Sequence, residues 1–288
     1  MESKYLIIIA IGLVVGLGAV YWKRTAGNSM YGVRVPERDF PYKWRDILER
    51  DIEFYKQLSR EERKKFEYKL HIFLLNVRIV GMQATVTDKD RILIAASAII
   101  PIFGFPEWHY SYLSEVHLHP DKFPIKQTNQ MANGLTGWGE MEGILKLSKK
   151  ALYEGYADQN DQRNVAIHEF IHILDKQDGQ VDGILLKAMK DVDISPWLHL
   201  MHHKMNEIDA GNSSIRKYGA SNKAEFLAVA GEFFFESPDK MKAEHPGLYS
   251  ALDSIFNPKV KAKPKYTKKY DPCPCGSGRK FSRCCGKS

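Results

Sequence analysis

Apolar positions divide this 288-residue chain into unlike regions. From Tyr5 to Trp22 every residue is apolar or glycine and none is charged. Such a run, at about 1.5 Å per residue, spans about 27 Å as a helix, enough for a bilayer core. Tyr5, Tyr21 and Trp22 sit at its ends as interfacial aromatics do. From Tyr42 the pattern changes. Trp44, Ile47, Leu48, Ile52, Phe54 and Tyr55 suit an amphipathic face, predicting two helices up to about Leu75 with a break near Leu58-Ser59-Arg60. Val77–Thr87 and Gly143–Ser148 read as strands, and Ile92–Ile102 as a buried helix with Pro101 near its end. Val165, Ile167, Phe170, Ile171, Ile173 and Leu174 make another helix broadly apolar. Asn160, Asp161 or Asn164 can cap its start, and Gln177-Asp178-Gly179 ends it in a turn. A last buried helix carries Phe226, Leu227, Val229, Phe233 and Phe234, is capped by Ser221 or Asn222 and runs to about Phe235. The predicted class is α+β, mainly α.

The helix around Phe170 also carries chemistry. His168-Glu169-Phe170-Ile171-His172 reads HExxH, and residues four apart lie on one helical face. Two imidazoles can therefore address one metal ion, with the Glu169 carboxylate poised over a water. That is the donor set of a zinc hydrolase. Polar groups on so apolar a helix need partners, because unpaired ones are costly when buried. A third protein ligand must come from elsewhere. Glu225, in the first turn of the later helix, is the candidate, and Glu232, two turns on along the same face, is its rival. One can serve as ligand and the other as the group that orients a ligand.

Three segments carry a family resemblance: Thr87-Asp88-Lys89-Asp90-Arg91-Ile92-Leu93-Ile94-Ala95-Ala96, Asn164 to Asp175, and Ala224-Glu225-Phe226 with Gly231-Glu232-Phe233-Phe234. With these in order, residues from roughly 40 to 255 resemble the Mlc titration factor A family of zinc-dependent peptidases, whose core is similar to that of anthrax lethal factor, a gluzincin. The resemblance implies a zincin-like fold, with His168, His172 and Glu225 as zinc ligands and Glu169 as general base. It also implies a catalytic tyrosine seven residues before the third ligand, a place held by Tyr218. Gly143–Ser148 is then the expected strand edge along which an extended substrate pairs.

Charge changes the picture at the two ends. Residues 256–288 hold ten Lys or Arg against Asp271 alone, a charge of +9, while the remainder holds 32 basic and 34 acidic side chains. The chain's formal +7 therefore belongs to its tail. Lys23, Arg24, Arg34, Arg38, Lys43 and Arg45 follow the apolar run and only Lys4 precedes it, so the positive-inside rule places the bulk of the chain in the cytoplasm. A cleaved signal peptide is the competing reading, but no small-x-small site precedes Lys23-Arg24. Gly12 and Gly16 form a GxxxG pair, a weak sign of helix pairing.

All four cysteines fall in the last sixteen residues, as Cys273, Cys275, Cys284 and Cys285. In a reducing compartment this clustering suits a four-thiolate zinc knuckle, with disulfides as the alternative. The pattern resembles the SEC-C motif, which implies a small protein- or ribosome-binding module. The lysine-rich stretch Lys259–Lys269 before it reads as a flexible tether.

Other acids and histidines compete for attention. His199 and His203 repeat the four-residue spacing beside His202, yet no acid is placed as Glu169 is. A second metal there is conceivable, and a solvated or packed helix face is favoured. His117 and His119 alternate as in a structural strand. Asp175 fits either a group orienting a ligand histidine or a turn at the helix end.

The expected organisation is a transmembrane anchor over 1–24, a zinc metallopeptidase domain over 40–255, a basic linker over 256–270 and a zinc-binding motif over 271–288. The expected cofactors are one catalytic and one structural zinc. The expected partners are a peptide or protein substrate, the cytoplasmic membrane and a protein or ribosome contact for the tail, with no specific DNA binding. The alternative is a non-catalytic regulator or adaptor that binds a transcription repressor or the ribosome and translocation machinery. The complete HExxH set, with Glu169 in place, favours the enzyme.

Overall fold

Ser59 and Thr87 each begin a helix with reciprocal hydrogen bonds. The Ser59 hydroxyl accepts from the Glu62 backbone N–H while Glu62 accepts from the Ser59 N–H, and Thr87 and Asp90 do the same. The computed structural model describes residues 29–30, 32–105, 110, 112–125, 128, 130–137, 141–189, 193–257 and 280. The apolar run Tyr5–Trp22 and the four cysteines lie outside them, and among the described residues no helix is long and apolar enough to cross a membrane.

A two-residue hairpin, β1 (Ser29–Met30) and β2 (Val33–Arg34), leads to α1 (Tyr42–Asp51), α2 (Glu53–Lys56) and α3 (Arg60–Asn76). The predicted break near Ser59 is present. A second break falls at Ile52, whose extended backbone (φ −117°, ψ 102°) turns a fully buried side chain inward. After β3 (Arg78–Gly81), α4 (Asp88–Ile102) forms the centre of the domain, every side chain from Ile92 to Ile102 being buried. It starts four residues earlier than its apolar run because the Thr87–Asp90 box caps it there. The strand expected over Val77–Thr87 is only β3, because at Gly81 the chain turns back so tightly that a Cβ would lie 1.9 Å from the Ala84 carbonyl oxygen.

β4 (Glu115–His119), the short hairpin β5 (Phe123–Pro124) and β6 (Met131–Ala132), β7 (Gly134–Thr136) and β8 (Ile144–Ser148) follow. The main sheet has the order β3-β4-β8-β7, with β3, β4 and β8 parallel and β7 antiparallel at the edge. This corrects one expectation. Ile144–Ser148 is an interior strand, paired on both sides, and β7 takes the edge position.

Helix α5 (Lys149–Ala157) leaves β8 directly, capped by Ser148, and α6 (Val165–Asp175) starts at Asn164, whose side chain accepts from the Ile167 N–H. Then come α7 (Leu186–Met189), α8 (Ser195–Asp209), α9 (Lys223–Glu236, capped by Asn222), α10 (Pro238–Glu244) and α11 (Pro246–Phe256). Helix α6 packs between α4 and α9 and also meets β7. Gly231 lets α9 come close to α6, since a Cβ there would lie 2.4 Å from Ile171 Cδ1. The result is an α+β domain that is mainly helical, with its HExxH helix packed between the central α4 and α9.

Candidate metal centre

Helix α6 presents His168 and His172 one turn apart, and the first turn of α9 brings Glu225 against both. The Nε2 atoms of the histidines lie 3.0 Å apart. Glu225 Oε2 lies 3.0 Å from His168 Nε2 and 3.3 Å from His172 Nε2. Three ligands about 2.0–2.1 Å from a tetrahedral ion stand about 3.3 Å apart, so the triangle has zinc dimensions and leaves a fourth position open. Among the described residues, these three form the group of His, Cys, Asp or Glu side chains able to share one ion.

Glu232 lies behind the triangle. His168 Nδ1 donates to its Oε1 at 2.7 Å, the Asn164 backbone N–H donates to its Oε2 at 2.7 Å, and Arg216 pairs with it. With its Nδ1 proton held by Glu232, His168 presents Nε2 to Glu225. Glu225 Oε2 is buried, and the two imidazole Nε2 atoms face it. His168 Nε2, His172 Nε2 and Glu225 Oε2 therefore converge on one point, where a metal ion would take the place of the imidazole protons that otherwise face the carboxylate. Burial works against a charged His168, but Glu232 and Glu225 outweigh it and raise its pKa to about 10. Burial alone would raise Glu225, yet His168 and His172 hold it well below the carboxylate range. The rivalry between the two acids thus ends in a division of labour: Glu225 faces the open position, and Glu232 grips His168 from behind.

Residues 22–257 match the glucose-regulated metallopeptidase M90 family, and residues 271–287 match the SEC-C motif. The chain belongs to the M90 family. It is 27% identical over 264 residues to an uncharacterized protein of Synechocystis, covering 86% of this chain and 95% of that one. It is 25% identical over 231 residues to proteins named Mlc titration factor A from Yersinia pestis and Yersinia pseudotuberculosis, covering 74% of this chain and 83% of each. Zinc is the metal the family name and the donor set suggest, two nitrogens and a carboxylate being a zinc-type set.

In this M90 domain Glu169 is buried on the β7 side of α6. The Thr136 hydroxyl donates to its Oε2 at 2.9 Å. Burial raises its pKa, opposed by His168, His172 and the Thr136 hydrogen bond. Tyr218, in a short turn of 3₁₀ helix over Lys217–Ala220, holds its ring centroid 6.1 Å from that of His168 and is 53% exposed. Partial burial and the Glu225 carboxylate push the phenol up to about 12, so it stays a donor at neutral pH. A cleft of about 1180 Å³ joins these groups, lined by Gly134, Leu135 and Thr136 of β7 on one side and by Arg216, Tyr218 and Asn222 on another.

The remaining candidates separate cleanly. Asp175 accepts the backbone N–H groups of Gly183 and Ile184 at 3.0–3.1 Å, which is the turn role, and burial raises its pKa to about 6. His203 lies 3.4 Å from Glu207 on its own helix, and His202 3.4 Å from Asn206. His117 pairs with Glu115 at 2.7 Å and His119 stacks on Phe123 at 4.5 Å, both structural as expected. Cys273, Cys275, Cys284 and Cys285 lie outside the described residues. Sequence reasoning missed Gly134, Thr136 and Arg216. The only local signal for Arg216 was its place two residues before Tyr218, and no local signal pointed to Gly134 or Thr136.

Proposed function

We propose that this chain is a zinc-dependent peptidase held at the cytoplasmic membrane by Tyr5–Trp22, with its catalytic domain in the cytoplasm and a second zinc in the knuckle Cys273/Cys275/Cys284/Cys285. The observation that carries the reading is the convergence of His168 Nε2, His172 Nε2 and the buried Glu225 Oε2 beside a buried Glu169. Zinc held by His168, His172 and Glu225 would supply a Lewis acid that polarises a scissile carbonyl and makes a bound water more acidic. Glu169 takes the proton from the attacking water and delivers it to the leaving amine. Tyr218 donates to the developing oxyanion. Glu232 fixes the tautomer and direction of His168, and Arg216 balances its charge.

Substrate orientation follows from β7. The Ser148 N–H donates to the Asn133 carbonyl and the Gly137 N–H to that of Ile144, so in this ladder Gly134 and Thr136 turn their own N–H and C=O groups to the open edge. An extended peptide laid in the cleft pairs there.

Incubating the full chain in detergent with a peptide library, with and without a chelator, tests the activity. Glu169→Gln should keep two equivalents of zinc and lose at least about 10²-fold in cleavage. Equal cleavage by wild type and variant would remove the enzyme reading. A reporter fused after Ser288 should be active only in its cytoplasmic form, and a mature N-terminus beyond Trp22 would remove the anchor.

A second reading draws on the relatives called titration factors. In it the domain sequesters a protein partner, such as a transcription repressor, and the metal is structural. It predicts a stable complex that survives Glu169→Gln and a chain that cleaves nothing.

A further inference from the structure

We infer that Thr136, with Gly134 beside it, is a positioning residue for Glu169, so that the strand that receives substrate also sets the general base. The inference rests on the peptidase reading above. Three observations carry it. Thr136 Oγ1 donates to Glu169 Oε2 at 2.9 Å and also lies 3.4 Å from the Glu169 carbonyl oxygen, so one hydroxyl addresses both the carboxylate and the helix that bears it. Gly134 occupies the same face of β7 two residues earlier, and a Cβ there would stand 2.6 Å from both Glu169 Cγ and Oε1. The Glu169 side chain thus fills the space that a methyl on residue 134 would take and is aimed from another direction by a hydroxyl. Finally, Gly134 and Thr136 are the two β7 residues whose backbone groups face the open edge, as the register with Leu147 and Leu145 requires.

The physical consequence is specific. A buried carboxylate can rotate about its last torsions, and only a fixed donor selects the orientation in which its free oxygen faces the metal position. Glu169 extends two carbons beyond its Cβ and has no other side-chain donor among the described hydrogen bonds. Removing the hydroxyl leaves the base chemically intact but undirected. The defect should therefore appear in turnover and not in substrate binding or metal retention.

The test compares full-length Thr136→Val, which keeps strand propensity and shape, with Thr136→Ser, which keeps the hydroxyl. Thr136→Val should lower kcat about ten- to a hundredfold, the usual range for a hydrogen bond to a charged group. KM and the two zinc equivalents should stay unchanged, and Thr136→Ser should restore turnover to near wild type. Gly134→Ala should lower kcat by a similar factor through displacement of Glu169. Unchanged kcat in Thr136→Val, equal impairment in Thr136→Ser, or loss of zinc from Thr136→Val would each overturn the inference. Acetohydroxamate gives a readout independent of turnover, because its hydroxyl hydrogen is shared with a carboxylate beside the metal. Weaker calorimetric binding to Thr136→Val than to wild type and Thr136→Ser supports the role, and equal binding by all three overturns it. If wild type cleaves no peptide, the peptidase reading fails, and the acetohydroxamate comparison still decides the position of Thr136.

Discussion

Helices α6 and α8 both carry histidines four residues apart, His168/His172 on one and His199/His203 on the other. Their surroundings have almost nothing in common. On α6 the pair is met by Glu225 from α9, His168 is gripped by Glu232, and the remaining surface is buried against α4 and α9. On α8, His203 is only partly buried and finds Glu207 one turn further along its own helix. The spacing that lets two imidazoles share an ion is cheap, because any helix supplies it. What distinguishes α6 is the acid that another element delivers and the anchor behind the first ligand.

The sharpest way to break this comparison is to remove ligands. His168→Ala or Glu225→Ala should reduce the full chain from two zinc equivalents to one, measured by metal analysis after dialysis. The double variant His199→Ala/His203→Ala should retain both. Loss of zinc from the α8 variant, or its retention when Glu225 is replaced while Glu232→Ala loses it, would overturn the assignment. A smaller effect is expected behind the ligands. Glu232→Gln leaves the triangle intact but weakens the hold on His168, and such partners contribute about 10–100-fold in metal affinity. Competition against a chelator reads that factor directly. A change under about threefold would mean that the triangle holds itself.

The smallest effect concerns stability. Helix α9 carries a third acid, Glu236, whose two oxygens are buried with no hydrogen-bond partner. Burial, then the charges of Glu232 and Asp161, raises its pKa to about 8. A carboxyl with a raised folded-state pKa contributes stability that is complete below its ordinary unfolded value and lost as pH rises through about 8. Glu236→Gln should therefore melt with the wild type at pH 5 and a few degrees above it at pH 9. A Tm difference independent of pH would show that Glu236 is not protonated in the folded chain.

Much of the α6–α9 arrangement was legible from the residues because its causes are local. Apolar spacing marks the buried faces, Asn164 and Asn222 are caps readable within four residues, and the seven-residue interval between Glu225 and Glu232 puts both acids on one side of a helix. The sheet was less legible because strand neighbours are chosen across the fold. Ile144–Ser148 has the composition of any edge or central strand, and only its pairing with Glu115–His119 and Gly134–Thr136 makes it interior. Thr136 reaches Glu169 across 33 residues of chain, and nothing in Gly134-Leu135-Thr136 announces a catalytic neighbourhood. A still longer separation in the chain hides the close approach of Gly231 to Ile171.

That approach sets a gauge for the ion. Two ligands ride on α6 and the third on α9, so the separation of the helices fixes one corner of the triangle relative to the other two. A methyl at residue 231 would collide with Ile171 and push the helices apart. The Glu225 corner would then retreat from both imidazoles. A wider triangle no longer matches the spacing of about 3.3 Å that ligands 2.0–2.1 Å from a tetrahedral ion require, and its two imidazoles do not suit the larger, oxygen-seeking cations. A glycine with no donor atom in its side chain would thus help decide whether a small ion fits between the two helices at all.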